Sequence, residues 1–217
     1  HGAFPLILAG NCNSSTGILA GLDAADLGAV WFDAHTDFNT PERTTTGYLE
    51  GMALAIATGH AWPTMARSIP GFRPIAGERV CLVGARDLDD EEARRLDDLG
   101  AVVIGPDHIH EHGIEIALRG PLDELRPRTR EVFCHLDLDV LDPSEGKPHD
   151  WALPNGLSLD QTVRAIEVVG DRFQLRAASV AAYDPACDDN DRVARAALRI
   201  LGAMAHAARS SLATMDR

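Results

Sequence analysis

The segment "DAHTDFNTP" (33–41) sets metal-capable side chains at alternate positions: Asp33, His35 and Asp37. It follows directly on the apolar run "GAVWF" (28–32). A second group, Asp137 and Asp139, closes the apolar run in "EVFCHLDLDV" (131–140). In extended chain, residues i, i+2 and i+4 share one side, so each group can converge on a point. A buried strand end cannot keep such charges unless they are paired or bind a metal. Carboxylates and an imidazole drawn together in this number need cations. Two divalent metals would supply the charge, held roughly 3.5–4 Å apart by bridging carboxylates, and would lower the pKa of a shared water. Carboxylate-rich ligation with one histidine favours manganese or magnesium. A single D-x-D is equally well explained by helix caps or turns. D-x-H-x-D plus D-x-D, each after an apolar run, fits that explanation poorly.

These groups need a sheet to carry them. Apolar runs at 5–10, 28–33, 79–85, 101–106, 132–139 and 177–184 read as strands. Helical patterns lie between them at 15–25, 51–59, 89–100, 158–170 and 191–212, with a weak one at 123–130 that contains Pro127. Nearly continuous apolar strands alternating with helices predict a parallel sheet covered on both faces. The fold class is α/β, a three-layer α/β/α sandwich on a mainly parallel sheet. Both acidic groups then fall at the carboxyl edge, where open α/β sheets bind ligands. Ser158 with Gln161 has the pattern of a capping box. Asp90, Glu91 and Glu92 suit the first turn of a helix. The stretches 62–79 and 142–156 read as long loops; His149 in the second is within reach of the pocket mouth but reads better as an ordinary loop residue. "HIHEH" (108–112) reads as a solvated loop, and Arg86 as a partner in ion pairs near Asp87 or Asp139.

Composition narrows the function. The 217 residues are 45% hydrophobic and 24% charged, which suits a globular chain, read here as one domain over 1–217. A net charge of −13 argues against nucleic acid or an anionic membrane as the main partner. Cys12, Cys81, Cys134 and Cys187 are scattered without a C-x-x-C pair, which predicts free thiols and a reducing, cytoplasmic setting. No apolar stretch approaches the length of a membrane span. The opening "HGAFPLILAG" reads straight into a strand, so an N-terminal segment is expected upstream.

With these residues in view, the chain resembles the ureohydrolase superfamily of arginases, agmatinases and formimidoylglutamases. "DAHTDFNTP" (33–41) and "DLDVLDPS" (137–144) carry the resemblance, supported by "LILAGN", "GARDLD", "NGLSLDQ" and "YDP". It implies an arginase-like fold and hydrolysis of a C–N bond in a linear amidine or guanidine at a two-manganese centre. It also implies a small guanidino or amidino substrate and a homo-oligomer. By position, His35 and Asp139 would hold one metal, with Asp33 and Asp137 bridging. Asp33, Asp37, Asp137 and a residue of the "GNCNSS" loop would hold the other. Asn39 and Thr46 fall where arginases contact the amino-acid end of their substrate, and Asp89 where they contact its α-amino group.

Several positions depart from the family pattern. Cys12 stands where the family's loop has a metal-binding histidine. A thiolate is a softer ligand, so manganese would be held more weakly there, or zinc or iron would replace it. Glu50 stands where a proton-transfer histidine is expected. It is a candidate acid/base if a partly apolar site raises its pKa, and a helix-capping carboxylate otherwise. Glu50 and Asp37 are the candidate catalytic carboxylates. Ala182 replaces a glutamate that pairs with the guanidinium, and Tyr48 replaces an asparagine. Losing a bidentate carboxylate argues against unmodified arginine or agmatine. A less basic hydroxyguanidine fits better, and the Cys-for-His exchange is also similar to the hydroxyarginine hydrolase branch. The alternatives are a catalytically impaired member that binds a ligand or partner, and a metal-dependent hydrolase of unrelated substrate.

Overall fold

The computed structural model describes residues 3–22, 25–88 and 90–215, with side chains as far as residue 210. Asp89, expected at the substrate, lies outside the described residues. The strands are β1 (Leu6–Leu8), β2 (Gly28–Phe32), β3 (Val80–Val83), β4 (Val102–Ile104), β5 (Glu131–Asp137) and β6 (Gln174–Ala181). They form one 6-stranded sheet in the order β1-β6-β5-β2-β3-β4, and every pairing is parallel. Each overlaps an apolar run read from the sequence, and the central strands β2, β3 and β5, buried on both faces, have no polar face to show.

Alternation within the strands feeds two cores. Val30, Phe32, Cys81, Val83, Cys134 and Leu136 point to one face. There they meet α5 (Pro106–His112), α6 (Ile114–Leu125), α7 (Leu159–Gly170) and α8 (Arg192–Met215). Ala29, Trp31, Val80, Leu82 and Phe133 point to the other, toward α1 (Ser15–Leu22), α2 (Ala53–Ala57), α3 (Pro63–Ser68) and α4 (Asp90–Leu99). The result is the expected α/β/α sandwich. Cys12, Cys81 and Cys134 are buried free thiols. Among the described residues, no helix is long and apolar enough to cross a membrane.

Prolines account for the main corrections. "HIHEH" is helical rather than a loop, because Pro106 occupies the first turn of α5, where its missing N–H costs nothing. The weak helix expected at 123–130 is instead α6, which tolerates Pro121 in its interior and ends at Leu125. The long loop at 62–79 contains α3, opened by Pro63. Ser158 and Gln161 do form a capping box at α7, and Asp90, Glu91 and Glu92 do fill the first turn of α4.

From β2 the chain winds outward through β3 to β4, then returns to β5 and winds the other way to β6 and α8. The winding therefore reverses between β2 and β5, the central pair. Open α/β sheets bind ligands just beyond the carboxyl ends of strands at such a point.

Candidate metal centre

In the register of the central pair, Trp31 lies opposite His135 and Phe32 opposite Leu136. The next residues, Asp33 and Asp137, therefore emerge side by side. Asp33 is 1% exposed. Its Oδ1 accepts from the His35 amide at 2.7 Å and its Oδ2 from Trp31 Nε1 at 3.1 Å. The Ala34 amide donates to Asp139 Oδ1 at 3.0 Å and ties the two groups together.

Simple alternation does not deliver the other two carboxylates. Asp37 has φ +50°, a left-handed conformation uncommon outside glycine. Asp137 Oδ1 accepts from the Asp139 amide at 2.9 Å and caps a single 3-10 turn, Leu138–Val140, which swings Asp139 inward. Asp139 Oδ2 then meets His35 Nδ1 at 2.9 Å and His149 Nε2 at 3.4 Å. His149 Nε2 is also 3.6 Å from Asp137 Oδ1, so the loop histidine joins the acids directly. Cys12 Sγ donates to Asp137 Oδ2 at 3.0 Å.

The frame beneath is tight. Gly84 (φ +97°) ends β3 where an added Cβ would come within 2.5 Å of Val140 Cγ2 and 3.3 Å of the Asp33 carbonyl. Arg86 is not the ion-pair partner read from the sequence. Its guanidinium donates to the carbonyls of Gly84, Asp139, Val140, Leu141, Leu153 and Pro154, with 2.7 Å to Asp139 the shortest contact. It holds the 139–141 turn to the 153–154 segment, a job suited to a planar fork of donors.

The electrostatics record the crowding. Burial, then the Asp139 charge, pushes Asp33 up to about 6 against the pull of His35. Burial and neighbouring carboxylates hold Asp37 and Asp137 well above the usual carboxylate range. Burial would also raise Asp139, but hydrogen bonds from His149 and His35 outweigh it and leave Asp139 below its ordinary value. Burial opposes protonation of His35 and His149, yet the facing carboxylates win and raise them to about 11 and about 10. Burial, then Asp137, Asp37 and Asp33, pushes the Cys12 thiol up. These are the shifts of a site with more negative charge than its own cations offset.

Cys12, Asp33, His35, Asp37, Asp137 and Asp139 thus lie in one cluster. His135 joins them without having been singled out. It precedes Asp137 by two on the same strand, and that shared face was the available signal. Glu50, Asn39 and Thr46 make no described hydrogen bond to the acids. Glu50 sits in the one-turn helix Glu50–Met52, packed on the turn Cys12–Ser14, and its Oε2 accepts from Tyr48 Oη at 2.7 Å. Asn39 Nδ2 donates to Glu92 Oε1 at 3.4 Å. Thr46 is exposed and accepts from the Tyr48 amide at 3.2 Å. Ala182, in the place of the guanidinium-pairing glutamate, is 7% exposed with φ +65°.

The donor set suits divalent cations. Asp33, His35 and Asp139 offer ligand atoms within 4.8 Å of one another, as do Cys12, Asp33 and His135, and Asp137, Asp139 and His149. One of these side chains, His135, keeps a buried Nε2 with no partner, and so does Asp37 Oδ2 in the same cluster. Buried polar atoms are normally satisfied, so such orphans call for an ion or water.

A parallel α/β/α sandwich with a carboxylate–imidazole cluster at its central strand ends agrees with the ureohydrolase resemblance read from the sequence. The comparisons with known proteins narrow this. A family model described as "Arginase family" matches residues 1–206. The chain is 31% identical over 207 residues to the arginase of Bacillus caldovelox, covering 94% of this chain and 69% of that one. It is 30% identical over 201 residues to the arginase of Bacillus subtilis (strain 168), covering 91% and 67%. The native structure of the B. caldovelox arginase at pH 5.6 matches with a TM-score of 0.86 at 30% identity, over 94% of this chain and 69% of that one. Proclavaminate amidino hydrolase from Streptomyces clavuligerus shares the fold, with a TM-score of 0.74 at 21% identity over 95% and 64%. The chain belongs to the arginase family.

Proposed function

We propose that this chain is a binuclear metal hydrolase that cleaves a C–N bond in a linear guanidino or amidino compound. The observation that carries the reading is the buried cluster of Asp33, Asp37, Asp137 and Asp139, whose charge His35 and His149 offset only in part. Asp33, His35, Asp137 and Asp139 would hold one ion, and Cys12, Asp33, Asp37 and Asp137 the other. Divalent cations there, manganese at the oxygen-rich position, supply the Lewis acidity that makes water a nucleophile near neutral pH.

The chain's own groups do the rest. Glu50, oriented by Tyr48 Oη, is assigned the proton that the leaving amine needs. Asn39, Thr46 and Asp89 are assigned the end of the substrate remote from the guanidine. Ala182 offers no carboxylate to a guanidinium, so a weakly basic guanidine such as a hydroxyguanidine suits the pocket better than arginine or agmatine. A single cytoplasmic domain in a homo-oligomer completes the proposal.

The Glu50–Tyr48 and Cys12–Asp137 hydrogen bonds favour a second reading, in which residues once used for chemistry are tied up and the fold only binds a ligand. Elemental analysis after manganese loading, run beside product release from a guanidine panel that includes N-hydroxyarginine, separates the two. Two metals with turnover supports the hydrolase. Bound ligand without turnover on any panel member supports the binding protein.

A further inference from the structure

We propose that His135, Cys12 and Asp33 form a sulfur–nitrogen–oxygen pocket for a thiophilic divalent cation of the zinc type, so that the two metal positions differ in kind. The inference rests on the metal-dependent reading above and adds a ligand to it.

Three observations carry it. First, Cys12, Asp33 and His135 each offer a ligand atom, and all three atoms lie within 4.8 Å of one another. The residues are 1%, 1% and 0% exposed. Second, His135 is built like a metal ligand. Its Nδ1 is held by Ser179 Oγ at 2.8 Å on β6, with Ser15 Oγ of α1 at 3.4 Å. Its ring lies 3.9 Å from the Trp31 ring, centroid to centroid, at 41°. Its Nε2 is buried and has no partner. A ligating imidazole has its other nitrogen fixed by an outer partner, which sets the tautomer and the ring direction. The hydroxyl on Nδ1 can do this and leave the Nε2 lone pair free. A purely structural core histidine would be expected to satisfy both nitrogens.

Third, the neighbouring position is chemically different. Asp33, His35 and Asp139 offer no sulfur, and the two groupings share Asp33 alone. Thiolate, imidazole and carboxylate together select zinc, cobalt or iron over manganese. Three protein ligands with a position left open is also the pattern of catalytic zinc sites. Ser179 and Ser15 act through His135 and are positioning residues.

Cobalt(II) titration of the metal-depleted full chain tests this by absorption alone. The first equivalent is expected to give a near-ultraviolet thiolate-to-cobalt band with visible d–d bands. Cys12→Ser should remove the near-ultraviolet band. His135→Asn should change the d–d bands and weaken the first equivalent at least roughly tenfold. Ser179→Ala, which leaves Nε2 in place but frees the ring, should weaken it by a smaller factor. It also decides the question if His135→Asn fails to fold. Cobalt bound without a thiolate band, or with an affinity that none of these variants shifts, overturns the pocket and leaves the hydrolase reading standing on the aspartates. No bound cobalt, zinc or manganese under any condition overturns both.

Discussion

Asp137→Asn separates the contribution of metal from the contribution of fold. In the parent, Asp33, Asp37, Asp137 and Asp139 are between 1% and 6% exposed. Among the described residues, the ion pairs made to them come from His35 and His149. Removing bound ions strands uncompensated charge in a desolvated site. A ligand present at a hundred times its dissociation constant contributes about 2.7 kcal/mol, so two ions contribute roughly 5 kcal/mol. For a chain of this size, ~2–4 °C accompany each kcal/mol, which gives ~10–20 °C of melting temperature lost on chelation. The asparagine keeps the bond from the Asp139 amide but removes one of the four clustered carboxylate charges. Thermal melts followed by circular dichroism, with saturating manganese and then with excess chelator, read both effects. The parent should lose ~10–20 °C and the variant under about 5 °C. Once chelated, the variant should melt at or above the chelated parent, because it buries one carboxylate fewer. Equal losses in the two proteins, or no loss in the parent, would refute the charge argument.

Other perturbations reach the frame and the chemistry. Arg86→Met removes the donor to the Asp139, Leu141, Leu153 and Pro154 carbonyls and should cost about 2–4 kcal/mol by chemical denaturation, with weaker manganese retention; an unchanged midpoint would count against the staple. Gly84→Ala forces a Cβ toward Val140 at φ +97° and should destabilise by roughly 2–4 kcal/mol, checked by the same titration. Glu50→Gln should retain metal and lower kcat about 10²-fold or more, and full activity would remove Glu50 from proton transfer. Ser158→Ala, at the capping box of α7, should cost about 1 kcal/mol and leave metal content untouched.

What the sequence disclosed and what it withheld divide along a physical line. Strands buried on both faces must be continuous apolar runs, so the central strands were legible, and so was the position of Asp33 and Asp137 at the carboxyl ends of two of them. Turns are not written in hydrophobic period. The left-handed Asp37 and the 3-10 turn that aims Asp139 needed coordinates, although the residue types were conspicuous. Pro106 fell in a run read as a strand and Pro63 in a stretch read as a loop, yet both start helices, and Pro121 sits inside one. Arg86 showed its charge but not its partners, because carbonyls at 139–141 and 153–154 come together only in the tertiary fold.

His135 shows why the last part of a site is hardest to read. On β5 it looks like one more buried residue, and its spacing from Asp137 is the only local clue. Its role depends on what lies across the sheet. Trp31 on β2 covers one side of its ring, Ser179 on β6 takes Nδ1, and Cys12 approaches from the turn before α1. No window of sequence contains all three. The parallel register brings Trp31, His135 and Ser179 to one level, and the reversal of winding between β2 and β5 opens the space above them. A thiol in place of an imidazole in the loop, read by itself, suggests a weakened site. Read with an orphaned imidazole reaching in from the sheet, the same thiol belongs to a site with a different preference among metals, and the cobalt spectrum is where those two readings diverge.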